Sequence, residues 1–141
     1  MSSTHKKYLD LLFSEARESE PVAGARIAAC IVFKKTLVVI GTNQNRTDPL
    51  AQRFAKNPEA DTIHAEVQAI KNTINHFRGD YEMLNGATMY ICRAKRSGIG
   101  GDWIWGLAKP CDGCMKAIDF FGIKKVIYSE EGIGKFNIYN T

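Results

Sequence analysis

The chain has 141 residues, of which 45% are hydrophobic and 24% are charged, so its composition is that of a globular protein. Its length predicts one domain over residues 1–141, and its net charge of +4 is lower than a dedicated duplex-DNA binder needs. The longest apolar run, residues 27–33, is too short to cross a membrane, which excludes a transmembrane protein, and the lack of a secretory signal predicts a cytoplasmic location.

The first half of the chain predicts two helices that flank a pair of strands. Residues 6–17 carry apolar side chains at helical spacing, whereas 27–33 and 36–40 are β-rich runs separated by a Lys-Lys turn. A long polar loop is expected over 43–61. Residues 62–77 place apolar side chains on one face, with Thr62 as the expected N-cap and Gly79 just beyond the end.

The second half predicts a strand, a helix and another strand. Residues 87–92 and 124–129 read as strands, and between them a helix begins near Pro110 and stops before Gly122. A parallel crossover is the expected connection. The glycine-rich segment 93–109 is predicted to be a second long loop, and the tail after Gly132 is either an edge strand or an ordered arm.

Two cysteines, Cys111 and Cys114, form a C-x-x-C motif at the predicted start of a helix. Free N–H groups and the positive end of the helix dipole favour thiolates at that position. By itself the motif is compatible with a redox pair or with metal binding. The preceding helix presents His64 and Glu66 near its own start, which adds a nitrogen ligand and favours metal.

The number of ligands separates two kinds of zinc site. Three protein ligands, His64, Cys111 and Cys114, leave an open position and indicate a catalytic site, whereas a structural site needs a fourth. Cys92, Cys30 and His76 are the candidates for that fourth ligand. Cys30 lies in an apolar strand, where cysteine usually acts as a small hydrophobic residue.

The segments His64-Ala65-Glu66 and P-C-D-G-C at 110–114 resemble the zinc signature of the cytidine and deoxycytidylate deaminase superfamily. The resemblance implies an α/β fold, namely the cytidine deaminase-like three-layer α-β-α sandwich with a mixed central sheet. It also implies that His64, Cys111 and Cys114 bind Zn²⁺, while Glu66 moves protons and is not a ligand. Many small family members join the third strand directly to the P-C-x-x-C helix, so segment 93–109 departs from the family pattern.

The resemblance also suggests substrate-binding residues. Asn43 is expected to contact the sugar or base, although a turn-forming Asn is equally compatible with the sequence. The Ala65 N–H and the Lys109 carbonyl are expected near the base. In the two long loops, Arg46 is a candidate phosphate ligand, and Trp103 and Trp105 could stack on the base beside the basic residues of segment 93–109. Oligomer contacts or packing within the loop would explain that segment equally well.

The predicted activity is hydrolytic deamination of a cytosine nucleoside or nucleotide, with deoxycytidylate as the leading substrate and ammonia as a product. The alternatives are deamination of a base in single-stranded nucleic acid, deamination of a purine such as adenosine or guanine, and a zinc-stabilised module without activity. The expected partners are a small-molecule nucleoside or nucleotide and, less favoured, a nucleic acid. No membrane is expected as a partner, and the resemblance implies a homo-oligomer.

Overall fold

The computed structural model describes residues 2–19, 21, 25–44 and 64–141. The elements within these residues, in chain order, are α1 (Ser2–Glu18), β1 (Arg26–Phe33), β2 (Thr36–Thr42), α2 (Ala65–His76), a 3-10 helix (Tyr81–Leu84), β3 (Thr88–Arg96), β4 (Trp103–Gly106), α3 (Asp112–Phe120), β5 (Lys125–Ser129) and β6 (Phe136–Asn140). No helix among the described residues is long and apolar enough to span a bilayer.

The six strands form one mixed sheet in the order β2-β1-β3-β5-β6, and β4 also pairs with β3. β1 is antiparallel to both β2 and β3, whereas β3 and β5 are parallel, as the strand-helix-strand pattern predicted. The tail forms edge strand β6, which is antiparallel to β5. Because β2, β3 and β5 run in the same direction, their carboxyl ends meet at one edge of the sheet.

Local chemistry explains the connections of the first hairpin and the last helix. Lys34 and Lys35 both have positive φ, at 50° and 64°, which is the backbone of a two-residue turn between antiparallel strands. Gly122 follows α3 with a φ of 74°, the left-handed conformation that commonly ends a helix. Both positions agree with the sequence predictions.

Apolar side chains leave both faces of the sheet and form two cores. The first core lies between the sheet and the pair α2 and α3, and contains Ile70, Ile91, Ile118 and Val126. The second core lies under α1 and contains Leu9, Leu12, Tyr90, Cys92 and Trp105. Helices therefore cover both faces of a mixed sheet, which confirms the predicted three-layer α-β-α sandwich.

Two predicted boundaries are corrected by the structure. The helix expected over 62–77 begins at Ala65 with His64 as its N-cap, and Thr62 lies outside the described residues. Segment 93–109 is not a loop throughout, because β3 continues to Arg96 and β4 returns beside it. The polar side chains of this hairpin conceal the strand pattern in the sequence.

Candidate active site

The residues predicted to bind metal lie at the starts of α2 and α3. His64 is the N-cap of α2, and Cys111 is the N-cap of α3. Both have extended backbones, with φ and ψ of −77° and 155° for His64 and of −73° and 172° for Cys111. Neither side chain caps its own helix by a hydrogen bond, although N-cap side chains usually do. Both side chains are therefore available to face each other.

His64, Cys111 and Cys114 form one compact group of donor atoms. The His64 Nδ1 lies 3.3 Å from the Cys114 Sγ and 3.5 Å from the Cys111 Sγ. One ligand atom from each residue lies within 4.8 Å of the others. His64 and Cys111 are exposed and Cys114 is buried, so solvent reaches the group.

The protonation of this group follows from its hydrogen bonds. Contacts with Cys114 and His64 lower the pKa of the Cys111 thiol to about 3. The contact with Cys111, followed by burial, raises the pKa of Cys114, and the contact with Cys111 also raises the pKa of His64. Cys111 is therefore a thiolate at neutral pH, and binding of a metal ion through both sulfur atoms has to displace the proton of Cys114.

Glu66 lies beside the metal group on the first turn of α2. Glu66 is only 5% exposed, and this burial raises the pKa of its carboxyl above the ordinary value. A hydrogen bond from its own backbone N–H, the charge of His64 and the Cys114 thiol oppose this effect. A buried carboxyl with a raised pKa holds a proton more readily than an exposed one, which suits a group that must both accept and return a proton.

The donor set fits zinc in an open site. One imidazole nitrogen and two thiolate sulfurs are the ligands that zinc prefers, and three protein ligands are typical of catalytic zinc. The fourth ligands considered from the sequence lie elsewhere. Cys30 and Cys92 are buried in the second core, where burial raises each pKa to about 12. His76 ends α2, at the opposite end of the helix from His64.

Residues 2–130 match the cytidine and deoxycytidylate deaminase zinc-binding region. The chain belongs to this family. The match covers the whole of the candidate active site, so Zn²⁺ is its cofactor and His64, Cys111 and Cys114 form the group that can hold it. No curated protein sequence matches the chain.

Solved structures share the fold at low sequence identity. RibD from Acinetobacter baumannii is 16% identical, with a TM-score of 0.55 over 91% of this chain and 28% of that chain. The dCMP deaminase of cyanophage S-TIM5 is 19% identical, with a TM-score of 0.55 over 94% of this chain and 85% of that one. A structure from a study of tRNA:A34 deaminases is 23% identical, with a TM-score of 0.53 and coverage of 92% and 78%. The chain thus spans less than a third of the RibD protein.

Two of the predicted substrate-binding residues are close in sequence to the metal ligands, and a third, Asn43, lies just after β2. Ala65 is the first residue of α2, so its N–H belongs to the open end of that helix. Lys109 is exposed just before α3. Asn43 is 6% exposed, and its side chain holds two backbone groups: Oδ1 accepts from the Ile27 N–H at 3.2 Å, and Nδ2 donates to the Ala25 carbonyl at 3.0 Å. These two hydrogen bonds connect the chain at the end of β2 to the start of β1.

The two tryptophans do not lie with these residues. Trp105 is 0% exposed in the second core, and Trp103 packs against the same core with the Arg26 and Arg96 guanidinium groups over its ring. This face of the sheet is the one covered by α1, so the placement does not fit the predicted stacking on a substrate. Arg46 lies outside the described residues.

Gly41 is a site-positioning residue that the sequence analysis did not identify. A Cβ at Gly41 would collide with the Ala69 backbone nitrogen and would lie 2.8 Å from the Gln68 carbonyl carbon and 2.9 Å from the Ala65 oxygen. The first turns of α2 therefore rest directly on the backbone of β2. A glycine at the end of a β-rich run was the only sequence signal for this close approach.

Proposed function

We propose that this chain is a zinc-dependent hydrolytic deaminase of cytosine nucleosides or nucleotides, with deoxycytidylate as its preferred substrate. The observation that carries the proposal is the buried Glu66 carboxyl beside an open group of three metal ligands. Membership of the cytidine and deoxycytidylate deaminase family supports the same chemistry. The S-TIM5 dCMP deaminase, which shares the fold, has been solved in complex with dCMP and dUMP.

Each residue of the site has a separate task in this reaction. His64, Cys111 and Cys114 would hold the zinc ion, which when bound would supply the Lewis acidity that makes water a nucleophile near neutral pH. Glu66 can accept one proton from water and deliver it to the ring nitrogen next to the amino-bearing carbon. It can then take the proton of the hydroxyl group now on that carbon and pass it to the departing amine as the carbon–nitrogen bond breaks. Water and a cytosine base thus give a uracil base and ammonia, and the carboxylate of Glu66 is regenerated.

The backbone at the start of α2 contributes orientation. Ala65 offers an N–H at the open end of the helix, where a carbonyl oxygen of the base can accept it. Asn43 has one amide hydrogen and one lone pair left after its two backbone contacts. Those remaining positions are the ones it can offer to a sugar hydroxyl.

A substrate panel tests this proposal. Zinc-loaded protein is incubated with deoxycytidine, cytidine, their mono- and triphosphates, adenosine, guanine and single-stranded oligonucleotides, and both ammonia and the product base are measured. We expect release of ammonia from cytosine compounds, fastest from deoxycytidylate. Activity confined to oligonucleotides or to purines would replace the proposed substrate. A metal-bound protein inert towards every compound would overturn the activity and favour a zinc-stabilised module.

The family resemblance also leads us to expect a homo-oligomer. Size-exclusion chromatography with light scattering measures the mass in solution directly, and a mass equal to that of one chain would contradict this expectation.

A further inference from the structure

Four residues line up across the sheet at the edge where the metal group lies. The Asn43 N–H donates to the Ile27 carbonyl at 3.2 Å, Ile27 pairs with Arg93, and Arg93 pairs with Gly106. Residues directly opposite one another in antiparallel strands point to the same face of the sheet. We call Asn43, Ile27, Arg93 and Gly106 the cross-sheet row.

The cross-sheet row faces the site rather than α1. Ile27 packs against the first core. Arg93 lies two positions after Ile91, a first-core residue, and side chains two positions apart in a strand point to the same face of the sheet. A Cβ at Gly106 would lie 3.0 Å from the Cδ atoms of both Arg93 and Lys95. The stems of both basic side chains therefore cross Gly106 on the face that carries α2 and α3.

Both ends of the row lead directly to the site. Gly41 supports the first turns of α2. Asn43 lies two residues further along the chain, or roughly 7 Å of extended backbone. From Gly106 the chain passes through Ala108, whose N–H donates to the Ser129 carbonyl at 2.9 Å, and reaches the metal ligand Cys111. The row is thus connected at both ends to the segments that carry the metal ligands.

Arg93 differs from the two other basic residues of β3. Its Nε is buried and has no hydrogen-bond partner among the residues that the structure describes. The hydrogen bond from Lys95, and to a smaller extent the charge of Arg93, lower the pKa of the Glu131 carboxyl. The Lys95 ammonium contacts the Glu131 carboxylate at 2.7 Å. Arg96 lies on the opposite face, where it donates to the Gly101 carbonyl at 3.0 Å and covers the Trp103 ring at 4.6 Å.

An arginine guanidinium keeps its charge and carries donors arranged in a fork that matches an oxyanion. A buried donor of this kind without an acceptor is costly, and an oxygen ligand at Arg93 would remove that cost. We infer that Arg93 forms an anion subsite beside the metal group and binds the phosphate of a nucleotide substrate. The subsite lies on the β3–β4 hairpin. This inference deepens the proposed function and rests on it for the identity of the base.

A probe without a base tests the subsite separately from deamination. Ribose 5-phosphate and ribose are titrated into zinc-loaded protein at matched ionic strength, using the wild type, Arg93→Gln and the control Arg96→Gln. We expect ribose 5-phosphate to bind the wild type and Arg96→Gln within about twofold of each other, and Arg93→Gln at least about tenfold more weakly. Equal binding by Arg93→Gln, or no preference of the wild type for ribose 5-phosphate over ribose, overturns the subsite.

Kinetics then decide whether the phosphate belongs to the substrate. We expect Arg93→Gln to lower kcat/KM for deoxycytidylate by about 10- to 100-fold while that for deoxycytidine stays within about threefold. An unchanged preference for deoxycytidylate, together with weakened ribose 5-phosphate binding, would overturn the assignment to the substrate phosphate. If no cytosine compound is deaminated, the proposed function fails, and the ribose 5-phosphate titration still decides the role of Arg93.

Discussion

The His64 Nδ1 lies 3.3 Å from the Cys114 Sγ, although the two residues are 50 positions apart and belong to different helix starts. Neither helix forms the site alone, because α2 brings the imidazole and α3 brings the thiols. The sheet under both helices therefore sets the geometry of the metal group. A shift of either helix on the sheet should therefore appear first as loss of the bound metal ion.

Gly41→Ala tests the close packing of α2 on the backbone of β2. The new Cβ would overlap the backbone of the first two turns of α2, which cannot move aside as a flexible side chain could. We expect a loss of about 1–3 kcal/mol or more in the free energy of unfolding, together with weaker zinc binding. Urea denaturation and metal analysis measure the two effects. Gly98→Ala is the control, because nothing lies within 4 Å of its Cβ position; an equal loss in both variants would contradict this account.

Glu66→Gln separates proton transfer from metal binding. The amide keeps the shape of the carboxyl but cannot exchange a proton, so we expect turnover to fall by about 10²- to 10⁴-fold while zinc content stays unchanged. Cys111→Ala should lose both zinc and turnover. Ammonia release and elemental analysis on the same preparations provide the comparison, with Glu82→Gln in the 3-10 helix as the control. A fully active Glu66→Gln variant would remove the carboxyl from the mechanism.

The thiols of Cys111, Cys30 and Cys92 should differ sharply in their reactivity towards alkylating reagents. In metal-stripped folded protein, Cys111 is exposed with a pKa of about 3, whereas Cys30 and Cys92 are buried with pKa values of about 12. We expect iodoacetamide at about pH 6 to modify Cys111 first and to leave Cys30 and Cys92 intact until the protein unfolds. Peptide mass spectrometry locates the label. Zinc should protect Cys111, and equal labelling with and without zinc would argue against its role as a ligand.

His5 gives the second core a dependence on pH. Its Nδ1 lies 2.7 Å from the Tyr90 hydroxyl, and burial, followed by the charge of Lys125, lowers the pKa of its imidazole. The unfolded chain then binds the proton more readily than the folded chain, so the stability contributed near His5 is present above about pH 6.5 and is lost as the pH falls. We expect the unfolding free energy of wild type minus that of His5→Gln to grow between about pH 5 and pH 7.5. A constant difference would show that the pKa of His5 is the same in the folded and the unfolded chain.

The sequence predicted the metal group because its signal is local. His64 and Glu66 stand together at one helix start, and Cys111 and Cys114 stand together at another, so short motifs carry the chemistry. The order of helices and strands followed from apolar periodicity, and the two layers of helix followed from that order. The three helix starts needed correction by two to four residues.

The β3–β4 hairpin was less predictable because basic side chains interrupt the apolar pattern at the end of β3. Arg93 and Lys95 occupy strand positions where an apolar side chain would mark the core, so composition indicated a loop. Trp105 showed the opposite error, since an aromatic residue in an apparent loop suggested a binding surface while strand alternation buries it under α1. Continuing the alternation of β3 beyond Ile91 would have placed Arg93 on the site face.

Strand β3 divides its residues between stability and chemistry by alternation alone. Tyr90, Cys92 and Ala94 face α1 and pack in the second core. Met89, Ile91 and Arg93 face the helices of the site, and Arg93 is the last of this set. Insertion or deletion of a single residue within β3 would therefore turn the guanidinium of Arg93 under α1 and present apolar α1 contacts to the substrate. This strand can accept substitutions at one face while the other is preserved, but it cannot accept a change in length.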